Sequence, residues 1–221
     1  MSKTAWLLKL PHGFQKIYIV SIITVNMENR ARKLKKVDLL EVNEAYQKVM
    51  RWFFSYPLLP ISLTDLAKEL GISKKTASQV VQQLIGEGFL LREIVGKNWR
   101  ITCNQKHAYN FSRKIAYNLS LIYESSIVEE AYKSIGNPRA IVLFGSYRKG
   151  DDTEKSDIDI AVEVLNNEEL EIKKIGEFHN FGYRKNVPVN LYIFSRKKID
   201  LNLFVNIANG IVIGGLLEAR P

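Results

Sequence analysis

Two hydrophobic periods alternate along the chain, and their order predicts its elements. From Val37, apolar residues recur at three- and four-residue steps (Leu39, Val42, Tyr46, Val49, Met50, Phe53), which predicts a helix stopped by Tyr56-Pro57 and Pro60. Ser62 stands three residues before Asp65, a capping box that opens a short helix through Leu70. Gly71-Ile72-Ser73 makes a turn, and Ser73 caps a further helix from Lys74 to about Gly86. That helix has an apolar face of Ala77, Val80, Val81 and Leu84, and a polar face of Lys74, Lys75, Ser78, Gln79 and Gln82. Phe89–Val95 and Trp99–Thr102, joined through Gly96, Lys97 and Asn98, read as a hairpin.

Beyond the hairpin, His107–Ser125 and Ile127–Ile135 carry helical spacing, the second stopped by Gly136 and Pro138. Ile141–Phe144 is a strand, and a polar loop leads from it to a second strand that carries Asp157 and Asp159 at its start and runs to Val164. Asn166 with Glu169 predicts a capped helix to about Phe178. Val187–Phe194 predicts a third strand, Lys197–Ala208 a helix, and Asn209–Gly215 a closing segment.

Charge divides the chain. Residues 1–124 hold 19 Lys and Arg against 9 Asp and Glu, a net +10, while residues 125–221 hold 13 against 14, a net −1. An excess confined to one half suggests a polyanionic partner for that half. A single cysteine, Cys103, rules out an intrachain disulfide framework and fits a reducing, cytoplasmic setting; its strand-like neighbours suggest a buried thiol. The apolar stretch Tyr18–Val25 is far shorter than the ~20 residues a membrane span needs, so no membrane partner is expected. Met27 precedes a polar start, and translation is expected to begin there, with an added strand or an oligomer contact as the alternative role for residues 1–26.

The chemistry-bearing stretch is Gly145-Ser146, ten intervening residues, then Asp157-Ile158-Asp159. In a strand, the two aspartates project from one face with Cα atoms roughly 7 Å apart. Two such carboxylates repel unless a cation lies between them, and hard oxygen ligands suit Mg²⁺ completed by substrate phosphates. Gly145 admits close backbone approach, and Ser146 puts a hydroxyl where phosphate would lie. Arg148 and Lys149 are candidates for triphosphate contact, and Ser156 for a bond to a carboxylate or a metal-bound water. His12, His107 and His179 share no metal-ligand spacing, and no phosphate-loop or dinucleotide fingerprint is present.

This pattern resembles the signature of the minimal nucleotidyltransferases of the DNA polymerase beta superfamily, over roughly Ser126 to Gly215. The resemblance implies transfer of a nucleoside monophosphate from an NTP to a hydroxyl with one or two Mg²⁺ ions. It also implies three carboxylate ligands, of which Asp157 and Asp159 match two. The third position falls on Asn190, a neutral and weak ligand that cannot act as a base. Glu163, Asp151, Asp152, Glu154 and Asp200 are the other acids nearby, and none has the matching address.

Val37–Asn104 resembles a winged helix-turn-helix domain. That resemblance implies double-stranded DNA as a partner, with Lys74, Lys75, Ser78, Gln79 and Gln82 facing the major groove and Arg92, Lys97 and Arg100 meeting phosphates. The expected architecture is therefore a two-domain α+β or α/β chain, a winged helix-turn-helix followed by a small nucleotidyltransferase-type mixed sheet flanked by helices. Its segments are residues 1–36 as a basic and apolar extension, 37–104, a connecting helix over 105–125, and 126–221. Three functions stay open: an enzyme acting on a protein, nucleic-acid or small-molecule hydroxyl; a DNA-binding regulator that senses NTP–Mg²⁺ without turnover; and an antitoxin-like partner of another protein. A homodimer is expected by analogy with other winged-helix proteins.

Overall fold

The structure is a computed structural model that describes residues 43–218 apart from 97 and 166–168. The chain divides into two compact units, Met1–Leu40 and Glu41–Pro221, and the described residues all belong to the second. The expectations for residues 1–42, the start at Met27 included, lie outside them.

Helix α1 (Glu44–Ser55) begins where the Asn43 side chain accepts a hydrogen bond from the Ala45 amide at 2.9 Å. It buries Tyr46, Val49 and Phe53 of the predicted stripe and adds Trp52, while Met50 is only partly buried. Helix α2 (Leu63–Glu69) carries the expected capping interaction, the Asp65 amide donating to Ser62 Oγ at 3.1 Å and Ser62 Oγ donating to Asp65 Oδ2 at 2.6 Å. Helix α3 (Lys74–Gly86) is capped by Ser73, and its apolar face closes onto α1 and α2. Strands β1 (Leu90–Val95) and β2 (Asn98–Cys103) pair antiparallel from Leu90 opposite Cys103. Phe53, Phe54, Leu66, Leu84, Phe89 and Ile101 form the shared core.

The long helix expected over His107–Ser125 is shorter. Helix α4 spans Arg113–Glu124, and residues 105–112 form turns. Local side chains take the backbone groups that a helix would use. Asn110 Nδ2 donates to Asn104 O at 2.9 Å, the Tyr109 amide donates to His107 Nδ1 at 3.2 Å, and Ser112 Oγ donates to Ala108 O at 2.7 Å. Helix α5 (Ile127–Ile135) ends as expected at Gly136.

Strand β3 (Ala140–Phe144), the short helix α6 (Gly145–Lys149), β4 (Ile158–Glu163), β5 (Glu171–Phe181), β6 (Arg184–Phe194), α7 (Leu201–Ala208) and β7 (Ile211–Gly215) complete the unit. The strands form one mixed sheet in the order β5-β6-β4-β3-β7, parallel between β4 and β6 and antiparallel elsewhere. The helix expected from Asn166 to Phe178 is a correction: its described part, Glu171–Phe181, is strand β5. Ile172, Ile175 and Phe178 mimic a helical period because β5 is an exposed edge strand with little need for strict alternation. A bulge between Lys174 and Gly176 further breaks the two-residue rhythm.

The sheet has two buried faces. Ile141, Leu143, Ile158, Ile160, Val162, Leu191 and Ile193 pack against Ile122 of α4 and Ile127 and Ala131 of α5. Val142, Phe144, Ala161 and Phe194 pack against Ile207 of α7. Side-chain alternation places Asp159 and Asn190 on this second face.

The two halves meet through buried polar groups. Lys114 of α4, 1 % exposed, donates to the Asp152 carbonyl and lies 3.3 Å from Asp152 Oδ2. Asn118 Nδ2 donates to Asp152 Oδ1 at 2.8 Å and to the Tyr147 carbonyl at 3.1 Å. Burial pushes the Lys114 ammonium down and the Asp152 carboxyl up, and their pairing opposes both shifts. Replacing Lys114 with Met strands a buried carboxylate, and a loss of about 3–5 kcal/mol is expected. Denaturant melts should show that loss and its partial recovery in Lys114→Met/Asp152→Leu; an unchanged midpoint in the single variant would count against the pairing.

Candidate nucleotide and metal site

The site forms where three strands of the sheet place their residues side by side. β3 ends at Phe144, opposite Asp159 of β4, and the parallel register of β6 sets Asn190 opposite Asp159 on the other side. The chain leaves β3 through Gly145 at φ +71°, in the left-handed region. A Cβ there would lie 2.6 Å from Asp159 Oδ2, so the carboxylate occupies the space a side chain would fill. Gly150, at φ +80°, closes α6 against the Asn110 carbonyl, where a Cβ would collide with backbone.

Asn190 Nδ2 donates to Asp157 Oδ2 and to Asp159 Oδ1, each at 3.3 Å. A carbonyl oxygen in the same place would repel both carboxylates, so this orientation of the amide follows from electrostatics. Tyr192, two residues along β6, hydrogen-bonds Asp159 and meets Phe144 edge-on with ring centroids 5.0 Å apart. Burial raises the Asp159 pKa, the Asp157 charge adds to that rise, and Asn190 and Tyr192 oppose it.

Arg148 and Lys149 join Phe144, Gly145, Leu203, Asn206 and Asn209 around a recess of about 200 Å³, in which Gly145 is the residue that Asp159 packs against. Ser146 is half-buried at the start of α6. Ser156 serves its own loop: its hydroxyl accepts from the Thr153 amide at 2.9 Å and its carbonyl accepts from Arg184 at 2.8 Å. Three of the other acids have different roles. Glu163 is buried against Arg196 at 2.9 Å, Asp152 is held by Lys114, and Asp200 caps α7. Among the described residues no group of three or more His, Cys, Asp or Glu could hold a metal ion. Asp157 and Asp159 offer hard oxygens of the kind that suit one divalent cation with phosphate oxygens completing its shell, and the described residues set no third carboxylate beside them.

Residues 125–210 match the model of the nucleotidyltransferase domain. The match spans α5 to α7 and takes in Gly145, Ser146, Asp157, Asp159 and Asn190. No curated protein matches the chain.

In the half outside that domain, Lys74, Lys75, Gln79 and Gln82 are exposed on α3, and Ser78 is half-exposed, accepting from Gln82 Nε2 at 3.4 Å. Arg92 stacks over Trp99 with its guanidinium carbon 4.6 Å from the ring centre. Arg100 is exposed, 3.5 Å from Glu93, and Lys97 lies outside the described residues. The Cys103 thiol is buried and pushed up to about 12, which makes it a poor nucleophile.

Sequence reading missed Tyr192, Lys114, Asn118 and Arg184. Tyr192 shares a strand face with Asn190, which alternation could have shown. Lys114 and Asn118 lie on the helical stripe that ends in buried Ile122, and polar residues on such a stripe signal a buried network.

Asp159 carries the pH prediction. A carboxyl with a raised folded-state pKa binds more protons folded than unfolded, so its contribution to stability falls as pH rises from the ordinary carboxylate range through its raised value. Asp159→Asn should flatten that fall and stabilise the metal-free protein at neutral pH by about 0.5–2 kcal/mol. Thermal melts across pH measure this, and a destabilised variant would contradict the assignment.

Proposed function

We propose that residues 126–221 transfer a nucleoside monophosphate from an NTP to a hydroxyl acceptor, with Asp157 and Asp159 as the metal-binding carboxylates. The observation that supports this most is the convergence of both carboxylates over Gly145, beside a recess with Arg148 and Lys149 on its wall. In this reading Gly145 admits the triphosphate to the backbone, Ser146, Ser156, Arg148 and Lys149 line its path, and Asn190 is a weak third ligand. Bound Mg²⁺ would neutralise phosphate charge and polarise the transferred phosphoryl group. Removal of the acceptor's proton has no third carboxylate to assist it, since Asn190 is neutral.

That gap motivates a second reading, favoured by the Asn190 amide donating to both aspartates. Here the domain binds NTP–Mg²⁺ without efficient turnover and reports it to a DNA-binding half. In both readings residues 37–104 act as a winged helix-turn-helix that presents α3 to the major groove, with Lys74, Lys75, Ser78, Gln79 and Gln82 toward base edges and Arg92, Lys97 and Arg100 toward phosphates.

Incubation with labelled NTP and Mg²⁺ separates the two. Label transfer by the wild type that falls about 10²–10³-fold in Asp157→Ala supports the enzyme. A silent wild type that gains transfer in Asn190→Asp supports the sensor, and silence in both variants and wild type would remove the transferase reading. For DNA, affinity should fall steeply with salt, and Arg92→Ala and Arg100→Ala, which remove phosphate contacts, should each reduce the salt slope by about 1. Affinity indifferent to salt would contradict the phosphate-contact model.

A further inference from the structure

The two aspartates are not held alike. Asp159 lies within β4, paired to Phe144 on one side and Asn190 on the other, so the sheet fixes it. Asp157 precedes the first paired residue of β4, Ile158, and so stands at the strand's edge rather than within it. The loop before it therefore shares in fixing the peptide that carries it.

We propose that Arg184 is a positioning residue for Asp157 and thereby for the metal and triphosphate that Asp157 would hold, which rests on the nucleotidyltransferase reading. Arg184 opens β6 and is 5 % exposed. Its Nη2 donates to the Glu154 carbonyl at 3.0 Å and to the Ser156 carbonyl at 2.8 Å. The Ser156 carbonyl belongs to the peptide bond that joins Asp157, so the guanidinium grips the chain immediately before the carboxylate. Its Nη1 donates to the hydroxyl of Tyr147, which is buried in α6 beside Ser146. One planar fork therefore ties the Gly145-Ser146 arm of the site to the Asp157 arm.

The guanidinium's hydrogen bonds go to the Tyr147 hydroxyl and to two backbone carbonyls, so what they fix is the course of the chain on both arms. The geometry places those donors on the two chain segments that must keep a fixed separation for Gly145 and Asp157 to meet one ligand. Arg184 is itself anchored: it pairs with Phe181 across the hairpin, and Tyr56 of the N-terminal half donates to the neighbouring Tyr183 carbonyl at 2.6 Å. Lysine could not replace the fork, because one ammonium cannot span the three acceptors with the same directions.

The test measures Mn²⁺ binding by electron paramagnetic resonance in the presence of a non-hydrolysable NTP analogue, for wild type, Arg184→Lys, Asp157→Asn and the double variant. Arg184→Lys should weaken Mn²⁺ binding about 10–100-fold, the range for residues that orient metal ligands. Because Arg184 acts through Asp157, the double variant should bind no more weakly than Asp157→Asn alone. Single losses that multiply in the double variant, or wild-type binding by Arg184→Lys, would overturn the proposal. Tyr147→Phe removes one acceptor while keeping the ring, and it should show a smaller loss with the same non-additivity. Hydrogen exchange supplies a readout independent of nucleotide. Residues 154–158 should exchange faster in Arg184→Lys while β3 stays protected, and unchanged exchange there would overturn the grip itself. A wild type that binds no Mn²⁺ with the analogue, yet shows that faster exchange in the variant, would refute the nucleotidyltransferase reading and leave Arg184 as a loop clamp only.

Discussion

Two carboxylates on one side of a strand end are a source of repulsion, and the C-terminal half is arranged around containing it. Asp159 is seated over a glycine, between Phe144 and Asn190, by the register of three strands. The Asn190 amide then donates to both aspartates, supplying a partial positive charge where a cation would supply a full one. The repulsion that remains, added to burial, keeps the Asp159 pKa above the ordinary carboxylate range. Carboxylates held close together and shielded from water are a common mark of functional sites, and this is the physical ground of the proposed metal site.

The loop between the two arms is where the halves of the protein become one unit. Lys114 and Asn118 of α4 hold Asp152 from one side, and Arg184 holds Glu154 and Ser156 from the other. Arg113, next to Lys114, turns instead to the N-terminal half: its guanidinium donates to the Tyr46 hydroxyl at 3.2 Å and lies over Tyr109. Tyr46 and Tyr109 in turn donate to Glu87, which caps the C-terminal end of α3. The first turn of α4 thus reaches the loop that carries Asp157 directly and the end of the helix that carries Lys74 and Lys75 through Tyr46 and Tyr109.

Much of this was legible from residue order. The caps at Ser62 and Ser73, the hairpin and the β3–β4 pair each follow from short-range rules, because the groups that decide them are only a few residues apart. The meeting of Gly145, Asp157 and Asp159 in space was legible because those residue types are unusual together at that spacing. Strand β5 was not, since an exposed edge strand is free of the alternation a buried strand must keep. The turns at 105–112 were also hidden, because Asn104 and Asn110 satisfy the backbone through side chains that spacing alone cannot weigh. Arg184 lay beyond reach for another reason. Its partners are distant in sequence, and two of the three are backbone carbonyls, which leave no trace in residue type.

Calorimetric titration with an NTP, with and without Mg²⁺, tests the carboxylate pair most directly. Binding by the wild type that requires Mg²⁺ and is lost in Asp157→Ala is the expected result. Absence of Mg²⁺-dependent binding, or binding that survives loss of the Asp157 carboxylate unchanged, would contradict a nucleotide and metal site at Gly145, Asp157 and Asp159.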